Sequence, residues 1–259
     1  MEFQLDKEWR LRPIQGDTGK TYMGIRGNER VFIKRNTSPL LAALSREGIT
    51  PKLVWTKRTG NGDVLTAQEW LDGRLLSPQE IGQRSDVIHL LYQMHHSLSL
   101  KNMLEKIGGQ EVLPIDLLTQ YMVNLPNEVK QNHYLAKVFR FLEDHIPPYH
   151  SGEFSVVHGD VTHRNWLQSE QGLYLVDWDS VMLADPAVDL GILLGHYVEF
   201  DQWPQWLTAY GMRPTQENID RIFWYATINF LQEIVRQYRR GDSKNMNKEI
   251  LLLKRTFTY

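Results

Sequence analysis

Apolar residues in the first seventy positions come in short runs rich in β-formers, separated by polar turn residues. Residues 22–24 and 31–34 flank Arg26-Gly27-Asn28-Glu29, a sequence that turns readily, and so predict a hairpin. Thr37-Ser38-Pro39 offers a helix start, Leu40, Leu41, Leu44 and Glu47 follow at helical spacing, and Gly48 and Pro51 close it. Residues 52–56 and 64–70 read as two more strands around Gly60-Asn61-Gly62-Asp63. The expected order is strand, strand, helix, strand, strand.

After Leu71-Asp72-Gly73 the period changes. Ser77-Pro78-Gln79-Glu80 has the composition of a helix opening, and Val87, Ile88, Leu91, Met94 and Leu98 recur at helical spacing. The same spacing predicts helices over 114–123, 132–145, 185–197, 202–210 and 215–238. Between them lie two apolar strands, 154–157 and 173–176, with polar, Gly-containing residues 168–172 leading into the second. No internal repeat and no long linker interrupts the chain. The expected class is α+β, with a strand-rich part over 1–72 and a mainly helical part over 73–259.

Composition narrows the classes. Among 259 residues, 42% are hydrophobic and 23% charged, which is the balance of a folded globular chain and not of a disordered one. A formal charge of −2 offers no global field for nucleic acid or anionic lipid, so neither is expected as a direct partner. The absence of cysteine removes disulfides, thiolate nucleophiles and cysteine-ligated metals. Residues 1–12 lack the apolar stretch of a signal peptide, and no segment reaches the ~20 apolar residues of a membrane span. A cytoplasmic location without membrane insertion is expected.

The chemistry concentrates in Val156-Val157-His158-Gly159-Asp160-Val161-Thr162-His163-Arg164-Asn165-Trp166, followed by Leu175-Val176-Asp177-Trp178-Asp179. One apolar strand delivers Asp160 to a polar loop, Asn165 follows five positions later, and a second strand delivers Asp177. Phosphoryl transfer from ATP needs a carboxylate to orient or deprotonate the acceptor hydroxyl, and oxygen ligands to hold Mg2+ on the phosphates. Asp160, as the catalytic group, and Asn165 and Asp177, as metal ligands, supply that set. The spacing repeats the protein-kinase catalytic loop and its metal-binding Asp, with Gly159 where those enzymes carry Arg and Asp177-Trp178-Asp179 where they carry Asp-Phe-Gly. In both departures it resembles the aminoglycoside phosphotransferase and choline kinase family of small-molecule kinases.

That resemblance implies a two-lobed, protein kinase-like fold: a nucleotide-binding lobe with its hinge over 1–72, and a catalytic and acceptor-binding lobe over 73–259. Lys34, in Val31-Phe32-Ile33-Lys34, stands where the kinase lysine would pair with phosphates, and Glu47 on the following helix would hold it. Gln68-Glu69-Trp70-Leu71-Asp72-Gly73 resembles the hinge, where backbone groups around Glu69, Trp70 and Leu71 would bind adenine. Gly16-Asp17-Thr18-Gly19-Lys20-Thr21 ends like a P-loop, but Ile14 occupies the place of its first glycine and a strand, not a helix, follows. Gly16, Thr18 and Gly19 are therefore expected in a phosphate-covering hairpin turn. His158, Asp179 and Asp189 are expected to support the catalytic loop. His95 is expected to be a satisfied structural histidine, and no zinc spacing occurs among His95, His96, His158 and His163.

Residues 20–24, 31–39, 68–71 and 158–179 are together similar to a cell-cycle-regulating, choline kinase-like branch of that family. This implies an acceptor containing ribose or deoxyribose, a nucleoside type, and a role linking cell division to DNA replication, with division proteins as partners and recruitment to the division site. From Ala187 onward, eight Asp plus Glu face nine Lys plus Arg, so no acidic trap for a polycationic aminoglycoside is present. The aromatics Tyr197, Phe200, Trp203, Trp206, Tyr210, Phe223, Trp224, Tyr225 and Phe230 would suit stacking on a base or boxing of choline, although helical spacing favours the core for each. The alternatives are a choline- or aminoglycoside-type kinase, and a binding module of the division machinery with little catalysis.

Overall fold

The structure is a computed structural model that describes residues 9–14, 21–123 and 125–257. In chain order the strands are β1 (Arg10–Pro13), β2 (Thr21–Arg26), β3 (Glu29–Arg35), β4 (Leu53–Arg58), β5 (Val64–Glu69), β6 (Gly73–Leu75), β7 (Ser155–Val157), β8 (Trp166–Ser169), β9 (Gly172–Leu175) and β10 (Met182–Ala184). The helices are α1 (Leu40–Arg46), α2 (Pro78–Ile81), α3 (Ser85–His96), α4 (Leu98–Lys106), α5 (Pro114–Val123), α6 (Asn127–Lys130), α7 (His133–Asp144), α8 (Ala187–Tyr197), α9 (Trp203–Tyr210), α10 (Gln216–Arg239) and α11 (Ser243–Thr256). The chain forms two compact units, one made of the residues up to Leu76 with Arg164–Ser180, the other of Ser77–His163 with the residues from Val181 on.

The first unit is built on an antiparallel sheet in the order β1-β2-β3-β5-β4. Alternation along β3 sends Val31 and Ile33 into one face, where they join Leu65 and Ala67 of β5 beneath Trp9, Leu11, Tyr22 and Trp55. Lys34, the next residue, is thereby placed on the opposite face. Gly24 of β2 makes this packing possible: a Cβ there would lie 2.7 Å from Ile33 Cδ1, 2.9 Å from Val31 Cγ2 and 3.2 Å from Trp9 Cε3. Helix α1 buries Leu40, Leu41, Ala43 and Leu44, the apolar stripe expected from the sequence.

Arg164–Ser180 belongs to this unit because β8 pairs with β6, Gly73 opposite Ser169 and Leu75 opposite Leu167, while the Leu76 N–H donates to Trp166 O at 3.0 Å. A three-stranded sheet, β6-β8-β9, results. The sequence division at residue 72 treats the two parts as contiguous. Strand pairing across some ninety residues makes the observed unit discontinuous.

The second unit is mainly helical, with β7 and β10 paired antiparallel through Met182↔Val157 and Ala184↔Ser155. Its core takes Val87, Leu91 and Met94 from α3, Leu190, Leu193 and Leu194 from α8, and Ile228, Phe230 and Leu231 from α10. Trp203, Trp206, Tyr210, Trp224, Tyr225 and Phe230 are buried as well, which assigns most of the C-terminal aromatics to packing. Tyr197, Phe200 and Phe223 are partly exposed.

The helix over 114–123 ends where its spacing predicts, and those expected over 132–145, 185–197, 202–210 and 215–238 lie within two residues of expectation, whereas α4, α6 and α11 are additions. Strands β1, β6, β8 and β10 are additions, each three or four residues long and too short to show a period. Helix α4 follows α3 without an apolar break; the join is Ser97, whose Oγ accepts the Leu100 N–H at 3.1 Å.

Candidate active site

Lys34 leaves β3 opposite Thr66 of β5, and its Nζ donates to Asp177 Oδ1 at 2.8 Å and Asp179 Oδ1 at 2.7 Å. Its side chain is 14% exposed, whereas both carboxylates are about half exposed. Burial by itself would lower the pKa of the ammonium, but the hydrogen bonds and charges of Asp177 and Asp179 outweigh it and raise the pKa above 10.5. Glu47, expected as the partner of Lys34, is the C-cap of α1, its N–H donating to Ala43 O at 3.0 Å, and the contacts of the Lys34 ammonium are Asp177 and Asp179.

Asp177 and Asn165 are brought together by the β8–β9 hairpin. The Val176 N–H donates to Asn165 O at 2.9 Å, one step beyond the Trp166↔Leu175 pair. Asn165 is buried, at the end of a single 3-10 turn. Asp177 has φ +65°, a left-handed conformation that Asp tolerates better than most side chains but that still costs energy. What holds it there is Trp178, buried beside it, whose Nε1–H donates back to Leu175 O at 2.9 Å. Strain retained at one carboxylate within a tight hairpin end points to use of that carboxylate.

The hinge residues follow β5. The Glu69 N–H donates to Lys52 O at 2.8 Å and the Trp70 N–H to Arg30 O at 3.4 Å, so both are engaged within the first unit. Trp70 Nε1–H donates to Asp72 Oδ1 at 3.0 Å, and Arg30 also binds Asp72. The Leu71 N–H meets no acceptor among the described residues. Gly16, Thr18 and Gly19 lie outside the described residues.

In the second unit, β7 leads into His158-Gly159-Asp160. Asp189, fully buried in the first turn of α8, accepts the His158 N–H on Oδ2 and the Gly159 N–H on Oδ1, both at 2.8 Å. His95 of α3 adds a third contact, its Nε2 lying 3.0 Å from Asp189 Oδ2. The Asp160 N–H donates to His158 Nδ1 at 3.1 Å, so His158 braces the loop as an acceptor. Gly159 has φ +77°, which explains why glycine stands where protein kinases carry arginine. Asp160 is partly exposed at the loop's end.

Two residues that the sequence marks only as stacking or core aromatics contact the residues around this loop. Tyr197 Oη accepts the His163 N–H at 3.1 Å and lies 3.0 Å from His163 Nδ1. Tyr210 Oη lies 2.7 Å from His95 Nδ1. Both were visible only as aromatics at helical spacing; the hydroxyl partners are 34 and 115 positions away and nothing local marks them.

Among the described residues no group of three or more His, Asp or Glu side chains is placed to hold a metal ion by itself. Magnesium does not ask for one: it takes one or two carboxylates and completes its octahedron with water and phosphate oxygens. Asp177, Asp179 and the Asn165 amide are hard oxygen donors of that kind, and the fit is satisfactory. No described helix is long and apolar enough to cross a membrane.

The chain is similar to choline kinase LicA from Streptococcus pneumoniae (17% identity, TM-score 0.65, covering 98% of this chain and 95% of that one). It is also similar to a choline/ethanolamine kinase family protein from Mesorhizobium loti (16%, 0.65, 96% and 91%). A third match is aminoglycoside 2'-phosphotransferase-IIIa, solved as its GDP complex (13%, 0.64, 99% and 93%). These likenesses show a protein kinase-like fold, with an antiparallel-sheet N-terminal part and a helical C-terminal part. The phosphotransferase enzyme family (APH), whose members transfer phosphoryl groups to hydroxyls, matches residues 35–222. Since that match covers well over half of the 259 residues, this chain belongs to the APH phosphotransferase family.

Proposed function

We propose that the chain is an ATP-dependent, magnesium-requiring kinase that phosphorylates a hydroxyl of a ribose- or deoxyribose-containing acceptor of the nucleoside type, and that this activity serves the coordination of cell division with DNA replication. The observation that carries the kinase reading is the catalytic loop itself: Asp189 holds its backbone by two N–H groups while His158 Nδ1 receives the N–H of Asp160. A loop held so firmly presents one carboxylate in one place, which is what a positioned general base requires.

Asp160 would take the proton of the acceptor hydroxyl as its oxygen forms a bond to the γ-phosphorus and the bridging bond to ADP breaks. Lys34, a cation that its surroundings keep charged, would turn from Asp177 and Asp179 toward phosphate oxygens. Asn165, Asp177 and Asp179 would hold magnesium, which neutralises charge on the phosphates when bound. The Leu71 N–H is suited to donate to an adenine ring nitrogen. Gly16, Thr18 and Gly19 would cover the phosphates. The GDP bound in aminoglycoside 2'-phosphotransferase-IIIa supports a purine nucleotide as donor.

For the acceptor, the balanced charge from Ala187 onward argues against a polycation. The second unit holds a cavity of about 140 Å³ lined by Tyr197, Phe200, Glu199 and Arg255 among others. That is small against the ~300–1,000 Å³ of pockets for drug-sized ligands, and it does not by itself select an acceptor. Most of the aromatics that would have stacked on a base or boxed choline are core residues, so they favour neither acceptor over the other. The division role and its protein partners rest on the sequence resemblance.

The test is ATP turnover by the purified chain with Mg2+ against nucleosides, ribose, choline and aminoglycosides, with Asp160→Asn as control. Stimulation by nucleosides or ribose that falls by at least about 100-fold in the variant supports the proposal. Stimulation by choline or aminoglycosides alone overturns the acceptor. No stimulation by any of them, with ATP still bound, overturns the catalytic reading in favour of a binding module. Failure of Asp160→Asn to disturb division timing in cells where the wild type supports it would separate that role from catalysis.

A further inference from the structure

Tyr210 is the last residue of α9, and the helix turns it inward: Trp203, Trp206, Leu207 and Tyr210, at i, i+3, i+4 and i+7, are all buried. Its ring packs in T-shaped contact with Tyr92 and stacks near Trp206, leaving only the hydroxyl to find a polar partner. That partner is His95 Nδ1, at 2.7 Å. The other ring nitrogen of His95 is 3.0 Å from Asp189 Oδ2. A run of buried polar contacts thus leads from α9 through α3 to α8, and from Asp189 to the backbone of the catalytic loop.

The chemistry of the run admits one arrangement of protons for a neutral imidazole. A neutral imidazole donates from one nitrogen and accepts on the other. Asp189 can only accept, and it already takes the N–H groups of His158 and Gly159, so His95 must offer it Nε2–H. Nδ1 is then an acceptor and needs a donor. Burial and the nearby Asp189 carboxylate push the Tyr210 phenol far above its usual range, so it keeps its proton and donates. The charged and titratable groups around it are Tyr92 on α3, Asp189 on α8 and Asp185 just before α8. Without the phenol proton, Nδ1 would be a buried acceptor with nothing to accept, and the ring would lose its reason to keep Nε2–H on Asp189.

We infer that Tyr210 is a positioning residue for the phosphoryl-transfer reaction: its hydroxyl sets the tautomer of His95, and His95 in turn keeps Asp189 seated under the His158-Gly159-Asp160 loop. Tyr210 touches no reacting atom. Its effect on catalysis rests on the kinase reading above, whereas its effect on the loop does not.

The experiment uses Tyr210→Phe in the full chain, with Tyr225→Phe as the matched control. Tyr225 is an equally buried tyrosine whose hydroxyl serves Asp185 and not the loop. Amide hydrogen exchange over residues 156–162 is measured first, since it needs no substrate. Exchange in that segment should quicken about tenfold in Tyr210→Phe, the size of one buried hydrogen bond left unmade, and stay at the wild-type rate in Tyr225→Phe. With an active acceptor in hand, kcat should fall by a similar factor in Tyr210→Phe with the KM for ATP unchanged, and the loss should vanish in a His95→Gln background. Unchanged exchange in Tyr210→Phe, or equal acceleration in both variants, overturns the inference. Inactivity of the wild-type chain toward every acceptor would count against the kinase reading and leave the exchange result to decide the part played by Tyr210.

Discussion

Replacing Asp189 by Asn changes one oxygen to an NH2 group and removes a charge, with almost no change of shape. The wild-type carboxylate lies against three donors: His158 N–H and Gly159 N–H at 2.8 Å each, and His95 Nε2 at 3.0 Å. The amide can accept on one atom only, so at least one of these donors comes to face another donor in a site with no exposure to solvent. A hydrogen bond to a charged group contributes about 1.5–3 kcal/mol, and a buried donor left unpaired costs about 1–3 kcal/mol. The expected loss is therefore about 3–5 kcal/mol, in the range found when one partner of a buried ionic network is removed. Against a total stability of about 5–15 kcal/mol this is large, and at ~2–4 °C per kcal/mol for a chain of this size Tm should fall by about 10 °C. Urea denaturation followed by circular dichroism, with a thermal scan beside it, measures both. A loss below about 1 kcal/mol would refute the reasoning, because it would mean that the carboxylate charge does not hold the loop.

Three further outcomes are expected. Lys34 has a folded-state pKa raised above 10.5, so its pairing stabilises fully below pH 10.5 and is lost as pH rises through the folded value; the stability gap between wild type and Lys34→Met should hold to pH 10.5 and narrow above it in urea titrations at stepped pH. Gly24→Ala should destabilise by about 1–3 kcal/mol through overpacking against Ile33, Val31 and Trp9, and Ile33→Val, which removes the Cδ1 atom at 2.7 Å, should recover part of it in the same assay. Asp177→Asn keeps a side chain tolerant of left-handed backbone but gives up a carboxylate of Lys34 and a candidate magnesium ligand; phosphoryl transfer should fall by at least about 100-fold while stability moves by less than about 1 kcal/mol, since the pair is half exposed at Asp177.

How far the site was legible follows from the range of the interactions that make it. Asp160, Asn165 and Asp177 stand out in the sequence because the spacing that marks them as candidates runs along one loop and one hairpin; the φ of +77° at Gly159 is seen only in the structure. The pairing of Lys34 with Asp177 and Asp179, some 140 positions further on, was not legible, because no local spacing records it. Strands β6 and β8 were invisible for the same reason: three or four residues carry no period, and pairing across ninety positions is a property of the folded chain.

The sequence by itself determined the identities that chemistry needs and the local conformations that present them: alternation along β3, which turns Lys34 away from Val31 and Ile33, the apolar stripes of the helices, and the loop that carries Asp160. Only the tertiary structure decided who meets whom. Asp189 reaches back to the loop from a helix thirty residues later, and Tyr210 reaches His95 across 115 positions. Such contacts depend on burial, which removes water as a competing partner and leaves each polar group the few neighbours that packing brings within 3 Å. Periodicity records which face of an element is buried; it does not record which donor waits there.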